Sequence, residues 1–182
     1  LASITYGAVP VPILHEFKAD NIHHLVNHSN SRLLYVGEAI WENLSPSEMP
    51  EVEAIAQMEN FSVLYAKDSE LKRDRLNIDA IMQERYGDSF GPDSLCFYED
   101  SPEELALINY TSGTSGFSKG VMIPYRALYS NIKFGSYAMP SLNNRSRVVS
   151  MLPTAHMYGL MFEFLFEMTI GACTYFLTRL PS

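Results

Sequence analysis

Hydroxyls, glycines and a lysine are packed into the run Tyr-Thr-Ser-Gly-Thr-Ser-Gly-Phe-Ser-Lys-Gly over residues 110–120. Glycines let a backbone turn tightly and bring its N–H groups close to an anion. Hydroxyls donate hydrogen bonds to phosphate oxygens, and a lysine brings a mobile positive charge. That combination makes a polyphosphate cradle. Runs of this composition also form flexible linkers or plain hairpin turns. A linker joins independent units, whereas this run lies between the apolar segments 105–109 and 121–123. Cradle and hairpin turn remain the two readings of its composition.

A P-loop does not fit. Its pattern needs a glycine before the lysine and a hydroxyl after it, but Ser118 precedes Lys119 and Gly120 follows. A P-loop also opens a helix towards the phosphate. Here Val121 and Ile123 read as a short strand closed by Pro124. The expected order is strand, glycine-rich loop, strand.

Other residues invite chemistry more weakly. His156 stands alone at a predicted helix start, where a histidine usually packs or caps. Tyr158, Met161 and Phe162 follow at helical spacing, suited either to lining an apolar pocket or to core packing. His24 and His28 are one turn apart with His23 adjacent, but no His-Glu-x-x-His pattern or third ligand accompanies them. A solvated or partly packed helix face is expected. Glu163 and Glu167 are also one turn apart; carboxylates at that spacing normally face solvent or pair with a cation, and no role is assigned to them. Cys96 and Cys173 form no Cys-x-x-Cys unit and read as buried free thiols of a reducing cytoplasm.

The elements that must position these groups alternate between strand and helix. Apolar or periodic patterns predict helices over 19–27, 38–43, 78–85, 126–137 and 158–170, and strands over 32–36, 61–66, 105–109, 121–123, 148–152 and 173–177. Residues 4–9 look strand-like, 8–13 can form only an edge strand or a strand end because of its prolines, and 52–58 reads as a turn or two of helix. Residues 68–75 form a charged surface stretch, and 101–104 matches a capping box. The alternation predicts an α/β fold, with a largely parallel sheet flanked by helices.

With 182 residues, 47% hydrophobic and 19% charged, the chain can build a globular domain with a real core. A net charge of −8 gives no general attraction to nucleic acid or an anionic membrane. An anionic ligand must therefore be held locally. The apolar stretch 157–176 is interrupted by Glu163 and Glu167 and is too polar to span a bilayer.

The 110–120 run resembles the phosphate-binding signature of the adenylate-forming (AMP-binding) superfamily, Tyr-Thr-Ser-Gly-Thr-Thr-Gly-x-Pro-Lys-Gly. Ser115 stands for a threonine and keeps the hydroxyl, and Ser118 stands for the proline. Met-Leu-Pro-Thr-Ala-His-Met-Tyr-Gly over 151–159 resembles the family's Leu-Pro-x-x-His-x-x-Gly element, and Gly-Ala-Val-Pro-Val-Pro over 7–12 is a weaker echo of an early strand. Within the superfamily the chain looks most like a long-chain fatty acid–CoA ligase.

The resemblance implies a piece of the large N-terminal AMP-binding domain over 1–182, without the C-terminal lid domain. Both chain ends read as cut through a domain, and the piece alone is expected to be inactive. Thr111, Ser112, Gly113, Thr114, Ser115, Gly116 and Lys119 would cradle the β- and γ-phosphates of ATP, with Lys119 and Thr114 as catalytic groups and Thr111 touching Mg²⁺. His156 and Tyr158 would border the acyl substrate.

The implied reaction is activation of a carboxylic acid, preferably a fatty acid, to an acyl-adenylate, followed by transfer to coenzyme A. An amino-acid adenylation domain loading a carrier protein, and a non-catalytic ATP-binding module, are the alternatives. Partners would be small molecules rather than nucleic acid, and the setting cytoplasmic, with peripheral membrane attachment of a longer protein left open.

Overall fold

The computed structural model describes residues 1–111 and 118–177. It opens with one helical turn, α1 (Ala2–Thr5). This replaces the strand expected over 4–9: the Thr5 hydroxyl donates to the Ala2 carbonyl at 3.0 Å, and Gly7 at φ 86° turns the chain away. The proline-rich segment that follows forms no strand. It accepts a single backbone bond, from the Ile108 N–H to the Pro10 carbonyl at 3.1 Å.

The chain divides into two compact units. One is His15–Phe97. Within it α2 (Ala19–His28) buries Ile22, Leu25 and Val26, the i, i+3, i+4 stripe of an amphipathic helix. Lys18 occupies its N-cap. Strand β1 (Leu33–Val36) precedes the short helix α3 (Glu38–Trp41), and β2 (Ala54–Gln57) then pairs parallel to β1. Strand β3 (Val63–Ala66) returns antiparallel on the other side of β2.

The 52–58 segment is thus a central strand, not a helical turn. Ile55 and Ala56 are buried there with both strand edges paired, so tertiary pairing overrides the weak helical pattern. Helix α4 (Ser69–Leu76) is charged and exposed, with Asp68 capping it by accepting from the Glu70 N–H at 2.8 Å. Helix α5 (Ile78–Tyr86) follows and buries no residue, so its expected apolar face is open.

The other unit joins Leu1–Leu14 to Tyr98–Ser182. Strands β4 (Leu105–Thr111) and β5 (Lys119–Pro124) form an antiparallel hairpin. At its far end the Ser101 N–H donates to the Glu104 carboxylate at 3.0 Å, the capping-box contact expected there. Pro124 stands at the N-cap position of α6 (Tyr125–Ala138).

Strand β6 (Arg147–Ser150) then pairs parallel with β7 (Cys173–Phe176), and a helix over 157–170, α7, makes the crossover between them. Helix α7 runs as α over Met157–Leu160, widens to π geometry across Met161–Leu165 and returns to α over Phe166–Ile170.

The core of this unit lies between the hairpin and the two helices. Ala106 and Leu107 of β4 meet Tyr125 and Leu128 of α6 and Met161 and Leu165 of α7. Gly135 lets α6 approach α7, because a Cβ there would stand 2.7 Å from the Phe166 ring. The fold is α/β, as expected. Its strand pairing is mixed rather than largely parallel, with two parallel and two antiparallel pairs among the described residues.

Candidate functional site

The hairpin register sets which residues flank the glycine-rich loop. Thr111 and Lys119 are direct cross-strand partners at the loop end of the hairpin, and both residues are exposed. Directly opposed residues of an antiparallel pair share one face, as do residues two apart on a strand. Asn109 and Val121, the next such pair, therefore lie on the face of Thr111 and Lys119. Ser112, Gly113, Thr114, Ser115 and Gly116, the rest of the expected cradle, lie outside the described residues.

Asn109 is buried, and its amide donates to the Ala155 carbonyl at 3.1 Å. A polar side chain inside an apolar strand needs such a partner. Ala155 precedes His156, so the strand that carries the loop is tied to the turn that carries the histidine. The two motifs, 46 residues apart at this contact, meet on one face of the hairpin.

His156 does what a lone histidine at a helix start usually does: it caps. Its Nδ1 accepts from the Tyr158 N–H at 3.3 Å. That contact leaves Nε2 to carry the proton of the neutral ring, and the side chain is exposed. The turn before it is tight. The His156 N–H donates to the Pro153 carbonyl at 2.9 Å, and a Cβ on Gly159 would stand 2.5 Å from that same carbonyl oxygen. Only glycine at 159 allows so close an approach, which gives the final position of the Leu-Pro-x-x-His-x-x-Gly pattern a physical reason.

Tyr158 is half exposed rather than core, with its ring centroid 5.0 Å from that of Phe162. Phe162 in turn stands edge-on to Phe134 of α6 at 6.3 Å. These rings form an aromatic strip that begins two residues after His156. Met161, by contrast, is buried in the core.

The two carboxylates of α7 overturn the expectation that they face solvent. A single oxygen of Glu163, Oε2, accepts from the Ser150 hydroxyl at 2.9 Å and from the Met151 and Leu152 N–H groups at 2.8 Å each. Glu167 is buried and accepts from the Thr174 hydroxyl on β7. Burial pushes its carboxyl above the usual range, the Thr174 hydrogen bond opposes that shift, and the nearby charge of Glu163 adds to it. The only signal of these inward roles in the sequence is two acids set in an otherwise apolar helix; Asn109 after an apolar strand run gives a similar one.

The remaining candidates go elsewhere. His23 accepts the Ser45 N–H at 3.1 Å through Nε2, and the His24 and His28 rings lie 5.9 Å apart. No group of three or more metal-ligating side chains occurs among the described residues. Cys96 and Cys173 are both exposed, not buried as expected. No helix among the described residues is long and apolar enough to cross a membrane.

The family model for AMP-binding enzymes matches residues 1–182, and the chain belongs to that family. It is 28% identical over 166 residues to a 4-chlorobenzoate–CoA ligase of Arthrobacter, covering 91% of this chain and 28% of that one. It is 27% identical over 160 residues to the peroxisomal long chain acyl-CoA synthetase 6 of Arabidopsis thaliana, covering 86% of this chain and 22% of that one.

Among solved structures, a luciferase from Phrixothrix hirtus superposes with a TM-score of 0.79 at 16% identity, covering 100% of this chain and 34% of that one. A long-chain-fatty-acid-CoA ligase from Archaeoglobus fulgidus superposes with a TM-score of 0.63 at 26% identity, covering 92% and 29%. The chain thus spans less than a third of the length of these two curated relatives.

Proposed function

We propose that this chain forms the phosphate- and acid-binding part of an enzyme that activates a carboxylic acid with ATP and then makes its coenzyme A thioester. The observation that carries this reading is the Asn109 to Ala155 hydrogen bond at 3.1 Å, which joins the strand of the phosphate loop to the His156 turn. Such an enzyme needs its triphosphate and its acid side by side, because the acid carboxylate attacks the α-phosphorus as pyrophosphate leaves. The named activities of the relatives, an aromatic acid–CoA ligase and a long chain acyl-CoA synthetase, support the same overall reaction.

In this reading, negative charge grows on the departing pyrophosphate. Lys119, the Thr111 hydroxyl and the loop donors Ser112, Gly113, Thr114, Ser115 and Gly116 stabilise it. Thr111 is exposed at the loop end of the hairpin, and its hydroxyl oxygen is a donor type that suits Mg²⁺ held mainly by ATP phosphates; the ion would neutralise charge on those phosphates. His156 positions the acid through Nε2 rather than removing a proton, since the carboxylate is already ionised. Tyr158 and the aromatic strip beyond it offer an apolar wall to the acyl group, which favours a fatty or aromatic acid.

The test is ATP–pyrophosphate exchange by the full-length protein against a panel of fatty, aromatic and amino acids. Acid-dependent exchange is expected for a fatty or aromatic acid. Exchange with amino acids alone would favour carrier-protein loading, and none with any acid would leave a binding module. Lys119→Ala should lower acid-dependent exchange by about 100-fold, while its melting temperature stays within about a degree or two of the parent, because the lysine is exposed.

A further inference from the structure

We propose that Glu163 is a positioning residue, whose carboxylate holds the turn that presents His156; its effect on catalysis rests on the function proposed above. Three donors from consecutive residues, the Ser150 hydroxyl and the Met151 and Leu152 N–H groups, converge on one oxygen of this side chain at 2.8–2.9 Å. Among the described residues, pairing of β6 with β7 runs to Ser150, and the two N–H groups just past it donate to the carboxylate instead. Backbone donors at such a position need an acceptor, and an ionised carboxylate is the strongest one a side chain supplies.

The chain from these residues leads directly into the site. Leu152 precedes Pro153, whose carbonyl receives the His156 N–H at 2.9 Å. Asn109 holds the other end of the segment through the Ala155 carbonyl. Residues 151–156 are therefore pinned at the front by Glu163 and at the back by Asn109 and the histidine's own cap.

A second feature singles out Glu163: it sits within the π turn of α7, Met161–Leu165. A π turn inserts extra backbone into a helix and re-aims the side chains it carries, and such turns recur at functional sites. Here the re-aimed side chain reaches the end of β6, while Glu167, one turn on, reaches Thr174 on β7. A plain solvent-facing pair would do neither.

The experiment compares full-length Glu163→Ala and Glu163→Gln with the parent by two readouts. Amide hydrogen exchange over 147–156 reports the turn itself, and acid-dependent ATP–pyrophosphate exchange reports KM for acid and for ATP separately. Glu163→Ala should lose protection at Met151 and Leu152 but keep it along β4. Its kcat/KM for the acid should fall by about 100-fold, as expected when a reacting group is misplaced by about 1 Å, with KM for ATP unchanged. Glu163→Gln keeps a carbonyl acceptor and should recover most of both losses.

Unchanged protection in Glu163→Ala would overturn the proposal. So would lost protection with unchanged acid kinetics, or an equal rise of both KM values with a lower melting temperature, which would mark a general structural role. Absence of acid-dependent exchange in the parent would overturn the proposed function and the kinetic part of this inference with it. The exchange protection would still decide whether Glu163 holds the turn.

Discussion

Glu167 sits in an environment that changes its chemistry. Its carboxyl is buried beside Thr174, and burial is the largest of the influences that raise its pKa. The folded state therefore holds this proton more tightly than the unfolded chain does. Stability from this source is present below the ordinary carboxyl range and is lost as pH rises through the folded-state value. Glu167→Gln cannot ionise and keeps a partner for the Thr174 hydroxyl. Its melting temperature should gain on that of the parent as pH rises from about 4 into the neutral range. Thermal melts across that range check this, and parallel curves would refute it.

At the scale of elements, the β4–β5 hairpin and the turn into α7 act as one piece because the buried amide of Asn109 joins them. Asn109→Ala leaves the Ala155 carbonyl without its donor and should cost about 1–3 kcal/mol of stability. Asn109→Asp should cost more, since a carboxylate would then face a carbonyl oxygen. Denaturant unfolding of the two variants measures both numbers and their order. If Asp proves the milder change, Asn109 is not donating to that carbonyl. The same contact explains why β4 is not uniformly apolar: its Ala106 and Leu107 feed the core, while Asn109 two residues on feeds the site.

At the scale of the whole molecule, a chain of net charge −8 must bind anions against its own field. Groups placed locally, such as Lys119 beside Thr111 at the hairpin mouth, have to provide the attraction. The chain should show no retention on duplex DNA even at low salt, where counterion release favours binding most. Retention at about 50 mM salt in a mobility-shift assay would reveal a basic surface that the composition does not suggest.

Much of this was legible in the order of residues alone. The strand–loop–strand form around Lys119 followed from spacing, since no glycine stands immediately before the lysine and Pro124 closes the second strand. Helices α2, α6 and α7 followed from apolar periodicity, and the capping of His156 from its place at a helix start. These are local properties, set by turn chemistry, hydrophobic period and breakers.

What only the tertiary structure decided depends on partners distant in the chain. Residues 54–57 became a strand because two other strands pair with them, and the strand pairing became mixed for the same reason. Glu163 and Glu167 turned inward because Ser150, Met151, Leu152 and Thr174 offer donors that no helical pattern announces. Asn109 found its acceptor 46 residues away. A buried polar group is explained only by the partner that satisfies it, and the fold chooses that partner.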